Sequence, residues 1–182
     1  MSLRYALLGY LYDMSMSGYD LAKAFDYSVG YFWNASHSQI YPELKKMEKE
    51  GLLSSQKVEQ EDRPSKKLYI ATEKGREEFL SWMKEPTKLA ITRDPFLIKT
   101  FFIDRLDSQE AIELIDEQIG LLRELLDEYK NLRINITKAL SELDNPFNLQ
   151  IKLLTLDSGI MHTETEIKWC EKTKKALKSH SE

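Results

Sequence analysis

Residues 36–71 constrain this chain more than any other stretch. Ser36-His37-Ser38-Gln39 opens a helix with a polar cap, Ser38 being as good a cap as Ser36. Pro42 lacks an amide donor and belongs in or near the first turn. Ile40, Leu44 and Met47 recur as a thin apolar stripe, and Gly51 stands where a C′ glycine ends a helix. Two β-like runs follow, 52–60 and 66–71, around a five-residue turn Glu61-Asp62-Arg63-Pro64-Ser65. Thr72 then caps a helix with Phe79, Leu80 and Met83 that stops before Pro86. Upstream, 3–13 reads as a first helix, and Ser17 caps a second with Leu21, Ala24 and Phe25 inward. An aromatic-rich connector, 29–34, breaks the periodicity. Three helices, a hairpin and a further helix make the order of a winged helix-turn-helix, a module that seats one helix in the major groove of DNA.

The face opposite the apolar stripe offers Ser38, Tyr41 and Lys45, flanked by His37, Gln39 and Lys46. Gln and His side chains hydrogen-bond base edges, and a Tyr donates to phosphate or packs on a thymine methyl. Lys45, Lys46, Arg63, Lys66 and Lys67 can neutralise phosphates and so position the module without reading sequence. The charge balance works against this reading. The chain carries 26 basic and 30 acidic residues, a net charge of −4, and residues 1–85 alone hold 12 basic against 13 acidic. Affinity must then come from local clustering of positive charge. The acidic tip Glu61-Asp62 is expected to hold back from phosphate while Arg63 and the lysine pair approach.

The string Phe-Trp-Asn-Ala-Ser-His-Ser-Gln-Ile-Tyr-Pro from Phe32 to Pro42 is long and specific. With Leu8-Gly9, Ser17-Gly18-Tyr19-Asp20-Leu21, Leu44, Glu50-Gly51-Leu52, Tyr69, Thr72 and Gly75, it resembles the PadR family of bacterial transcriptional regulators. The subgroup it resembles carries a large all-helical C-terminal domain. The likeness covers 3–83 by motif and the remainder by helical pattern only. It implies a homodimeric DNA-binding regulator, usually a repressor, with the recognition helix at 36–50 and the wing at 52–71. The family's recognition-helix contacts fall on His37, Ser38, Gln39, Tyr41 and Lys45. The acidic tip departs from the basic or glycine-rich tips common in the family.

Beyond residue 85 the pattern is helical throughout. Asp94 or Thr92 caps a helix through about residue 106, with Pro95 at its first position and Phe96, Ile98, Phe101, Phe102 and Leu106 apolar. Ser108 opens a very long stretch with Glu110 and Glu113 early, as the macrodipole prefers. Ile112, Ile115, Ile119, Leu122, Leu126, Tyr129, Ile136, Leu140 and Leu143 follow a coiled-coil spacing interrupted by Arg133. Leu114, Leu121, Leu125 and Leu132 form a second stripe. After Asn145-Pro146, a last helix presents Leu149, Leu153, Leu156, Ile160, Ile167 and Cys170 on one face. Two stripes on one helix call for packing both on the last helix and on a second subunit; an intramolecular hairpin in a monomer is the alternative. Burying ten such side chains, at roughly 1.5–3 kcal/mol each before entropy, makes a dimer strong enough to persist. Arg133 is expected to face a carboxylate across that dimer.

The architecture expected is therefore mainly α: a winged helix-turn-helix with a two-stranded wing over 1–85, and an all-α, coiled-coil-like dimerisation domain over 86–182. Expected partners are double-stranded DNA, a second copy of the chain and a small-molecule effector acting through the C-terminal arms. A winged-helix module that docks a protein instead of DNA is the rival. No phosphate-binding glycine loop, nucleophile elbow or zinc spacing occurs, so neither catalysis nor a cofactor or metal is expected. No run reaches the roughly 20 apolar residues that span a bilayer. The apolar run at 3–12 lacks a charged start and a cleavage site, so a cytoplasmic protein that avoids membranes is expected. Cys170 reads as a core residue, and His162 near Glu166 and Trp169 as an ordinary surface pair. Helix packing or effector room explains Gly120 and Gly159.

Overall fold

In the computed structural model, which describes residues 2–26, 36–60, 63–89, 93–140 and 147–180, the chain divides into two compact units, Met1–Leu89 and Ala90–Glu182. The first runs α1 (Ser2–Tyr10), β1 (Met16–Ser17), α2 (Gly18–Asp26), α3 (His37–Lys49), β2 (Leu53–Gln60), β3 (Arg63–Ala71) and α4 (Glu73–Met83). The second runs α5 (Pro95–Phe101), a 3-10 turn (Ile103–Arg105), α6 (Ser108–Leu140) and α7 (Phe147–His180). The mainly helical, winged-helix architecture expected from the sequence is present. The connector at 29–34, the Glu61-Asp62 tip, Thr92, Leu143 and the Asn145-Pro146 break lie outside the described residues.

Leu7, Leu8 and Leu11 bring α1 against Leu21 and Phe25 of α2 and Ile40, Leu44 and Met47 of α3, all essentially inaccessible. The apolar stripe of the third helix is thus the floor of the core. α1 ends at Tyr10, short of the expected Asp13, because the chain turns there to supply a sheet strand. Leu11 O accepts from Ala71 N at 2.9 Å, and Met16 and Ser17 pair antiparallel with Tyr69 and Leu68 of β3. That two-residue strand was unreadable in the sequence, being too short to show a period, and it makes the sheet three-stranded in the order β1-β3-β2.

The wing is longer than expected. β3 begins at Arg63 rather than Lys66, since a register shift between Val58 and Gln60 lets the ladder resume with Gln60 opposite Arg63. At the base of the wing, Thr72 caps α4 by accepting from Gly75 N at 3.2 Å, while its hydroxyl donates to Gly51 O at 2.7 Å. α4 then seats so closely that a Cβ on Gly75 would lie 2.2 Å from the Leu52 carbonyl oxygen. Tyr5 of α1 and Trp82 of α4 stack with ring centres 4.4 Å apart.

In the second unit Asp94 is the cap, accepting from Phe96 N at 2.8 Å. The expected helix through 106 instead breaks after Phe101 into a single 3-10 turn. The extended Leu106 and the cap of the next helix require the chain to leave α geometry beforehand. That cap is Asp107, whose Oδ1 accepts from the amides of Gln109 and Glu110 at 2.9 and 2.8 Å. α6 and α7, each about 50 Å long at 1.5 Å per residue, pack antiparallel. Asp116 with Lys174, Arg123 with Glu171, Lys130 with Glu164 and Arg133 with Asp157 lace them. Arg133 meets a carboxylate on its own chain, 2.6 Å away.

Candidate nucleic-acid interface

α3 is fixed at both ends by local sequence. At its start, Gln39 Oε1 accepts from Ser36 N at 3.1 Å and from Ser36 Oγ at 3.3 Å, with Ser38 Oγ 2.7 Å from Ser36 Oγ. Ser36 is thus the cap. At its end Gly51 takes φ +74°, Leu52 N donates to Met47 O at 2.9 Å, and Gly51 N donates to Glu48 O at 3.1 Å. This paired closure is the Schellman arrangement. Pro42 lies within the helix, one turn further in than expected. Having no N–H, it leaves the Ser38 carbonyl without its usual intrahelical donor.

The other end of the helix is anchored to α1 and α4 by one side chain. Arg4 reaches Glu43 at 3.1 Å, Glu78 at 3.5 Å and also Glu50. With the buried stripe below, this leaves the opposite face outward. Ser38, Gln39, Lys45 and Lys46 are exposed, and Tyr41 is 40% accessible with its ring lying over Gly18. Neither Lys45 nor Lys46 enters an ion pair with a described residue. His37 opens α3 and Arg63 opens β3. The expected contact residues of the helix thus lie on one element, Ser38, Tyr41 and Lys45 on its outward side.

The wing lysines are differently placed. Lys66 Nζ lies 2.7 Å from Asp20, and Lys67 Nζ lies 2.7 Å from Glu48. Lys67 also sits 5.0 Å from the centre of the Tyr69 ring. The hydrogen bond from Lys66, with that from Ser17, holds the Asp20 carboxyl below its ordinary range. Lys67 and Ser55 do the same for Glu48, and Glu48 raises Lys67. Asp20 was legible only as a helix-start residue, and Glu48 carried no signal. A usable signal exists: adjacent strand residues face opposite ways, so Lys66 and Lys67 had to meet different elements.

In the helical unit, Ile115, Ile119, Leu122, Leu126, Leu156 and Ile160 are buried, and Ile112, Tyr129, Ile136 and Leu153 half-buried. Most of the expected dimer seam is thus covered by the chain's own α6–α7 hairpin. Leu140 ends α6. Exposed apolar side chains lie elsewhere: Leu121 and Ile134 on α6, and Ile151, Leu154 and Met161 on α7. Gly159 packs on Tyr129, where a Cβ would lie 3.3 Å from the ring, whereas Gly120 faces open space. Helix packing therefore accounts for the first glycine and not for the second. Cys170 is fully buried and its thiol is pushed up to about 11, mainly by burial. Trp169 meets Phe96 edge to face at 6.1 Å.

Both units of the chain match known proteins. Residues 7–81 match the transcriptional regulator PadR-like family, and residues 92–178 match the virulence activator alpha C-terminal family. The chain is 40% identical over 118 residues to the negative transcriptional regulator PadR of Bacillus subtilis, a match spanning 64% of this chain and 65% of that protein. It is 33% identical to a probable transcriptional regulator of Mycobacterium tuberculosis over 97% of this chain and 98% of that one. The crystal structure of B. subtilis PadR in complex with operator DNA superposes with a TM-score of 0.87 at 29% identity, covering 97% of this chain and 99% of the other. The same protein has been solved with p-coumaric acid, with a TM-score of 0.78 at 29% identity over 97% and 95% of the two chains. The Vibrio cholerae virulence activator AphA superposes with a TM-score of 0.79 at 27% identity over 98% and 99%.

Proposed function

Because this chain belongs to the PadR-like family of transcriptional regulators, with a DNA-binding winged helix, we propose that it is a cytoplasmic homodimeric repressor reading an inverted-repeat operator through α3. Tyr41, Lys45, Ser38, Gln39 and His37 are the readers, and Lys46 and Arg63 hold phosphate. The observation that carries this reading is the outward face of α3, capped at both ends and anchored by Arg4, where exposed hydrogen-bonding and cationic side chains follow one another along one element. Repression is supported by the negative regulation named for the B. subtilis relative, and the DNA partner by its complex with operator DNA.

Homodimerisation is supported by the exposed apolar side chains Leu121, Ile151, Leu154 and Met161 on a unit that already buries its own seam. The p-coumaric acid complex of that relative supports a small-molecule effector for this chain as well. Tyr41→Ala and Lys45→Ala are expected to abolish operator binding in a mobility-shift assay while sedimentation shows the dimer intact. Specific binding retained by both variants would remove α3 as the reader. A protein-docking module would instead show no loss of duplex affinity with rising salt.

A further inference from the structure

Lys66 and Lys67 are the cations best placed by sequence to hold phosphate on the wing, yet each is already bound by a carboxylate from another element. Neither carboxylate depends on its lysine for its position. Asp20 Oδ2 also accepts from Ser17 Oγ at 2.9 Å, and Asp20 N donates back to that hydroxyl at 3.1 Å. Glu48 receives Ser55 Oγ on Oε1 and Lys67 on Oε2. Serine neighbours thus pre-set two acidic groups, one at the start of α2 and one at the end of α3, to receive Lys66 and Lys67.

We propose that Asp20 and Glu48 are specificity determinants of the DNA-binding surface, standing in for phosphate on Lys66 and Lys67 so that duplexes lacking the operator gain nothing from these two lysines. The proposal rests on the DNA-binding reading above. Non-specific affinity grows with the number of phosphates neutralised, because each neutralised phosphate releases condensed counterions. A lysine that leaves a fixed carboxylate for a phosphate exposes that carboxylate to the same polyanion, so the exchange yields little. Binding is then left to α3, which reads base edges. Such a device suits a chain of net charge −4, in which local clusters of positive charge must supply affinity.

The test is the salt dependence of binding to a non-operator duplex, read by fluorescence anisotropy between about 50 and 200 mM salt. Glu48→Gln keeps a hydrogen-bonding partner for Ser55 and releases Lys67. It is expected to raise non-operator affinity and to steepen the dependence by about one phosphate, an additional loss of about 3.5-fold over that salt range. Adding Lys67→Gln to it should restore the wild-type slope. Asp20→Asn, alone and with Lys66→Gln, repeats the experiment on the other pair should the first variant fail to fold. An unchanged slope in the single variants overturns the proposal. So does a steepened slope that survives in the double variants, since bulk charge rather than the released lysine then acts. Absence of salt-dependent duplex binding by the wild-type protein would overturn the DNA-binding reading itself, an outcome distinct from a failed slope comparison.

Discussion

Two glycines with superficially similar surroundings lead to opposite expectations. A Cβ at Gly75 would lie 2.2 Å from a backbone oxygen of Leu52, which cannot move without displacing the start of the wing. Gly75→Ala should therefore cost more than about 2 kcal/mol of stability, measured by denaturant unfolding. A Cβ at Gly18 would lie 2.5 Å from Tyr41 Cε1, the far part of an exposed ring that can swing aside. Gly18→Ala should leave stability within about 1 kcal/mol while lowering operator affinity towards that of Tyr41→Ala. Equal loss in both properties would show that the ring does not yield. Cys170, held near 11 by burial, keeps its proton at neutral pH and should resist alkylation until the helical unit unfolds. Raised above its unfolded value, it adds stability that is present below that value and fades as pH rises towards 11. The buried stripe of α3, Ile40, Leu44 and Met47, was legible because it follows a helical period, whereas the buried Ala22 of α2 was not among the residues read as inward; the Gly18–Tyr41 contact was not legible, because it joins residues far apart in sequence.

At the level of elements, α3 and α4 were readable nearly to the residue, since Ser36, Gly51 and Thr72 are local signals that act through backbone amides and carbonyls. β1 was invisible because two residues carry no alternation, and α5 stopped early because the cap of α6 belongs to Asp107, ahead of the expected start. The joint of the wing with α2 and α3 is electrostatic and carries a pH signature. Asp20 and Glu48 are held below the ordinary carboxylate range, so their contribution is present above that range and is lost as pH falls through their folded values. Lys67 is raised, so its share persists below the ordinary lysine range and is lost as pH rises beyond it. Thermal melts should then show Glu48→Gln less stable than wild type near pH 6, with the gap closing as pH falls through the depressed range of Glu48. A gap that persists in acid would locate the role of Glu48 in packing rather than charge.

On the scale of the whole molecule, most of the dimer seam expected from the sequence lies inside the α6–α7 hairpin, and Leu154 and Met161, which stay exposed, were not part of it. Periodicity identified an apolar face on α6 and α7 but could not say which residues meet within one chain, because an intramolecular hairpin and an intermolecular coil share one spacing. Ile115, Ile119, Leu122 and Leu156 meet inside the hairpin, and Leu121, Leu154 and Met161 stay exposed. Leu121→Glu should therefore shift sedimentation towards monomer without lowering helix content, whereas Ile115→Glu should unfold the unit. Monomer behaviour in the wild-type protein would remove the dimer from the account. The central claim is that paired α3 helices read a symmetric DNA site. Selection of bound duplexes from random DNA by the intact protein tests it most directly. An inverted repeat with half-sites spaced by about one helical turn, or a multiple of it, is predicted. Enrichment of a single asymmetric site, or of none, would contradict the account.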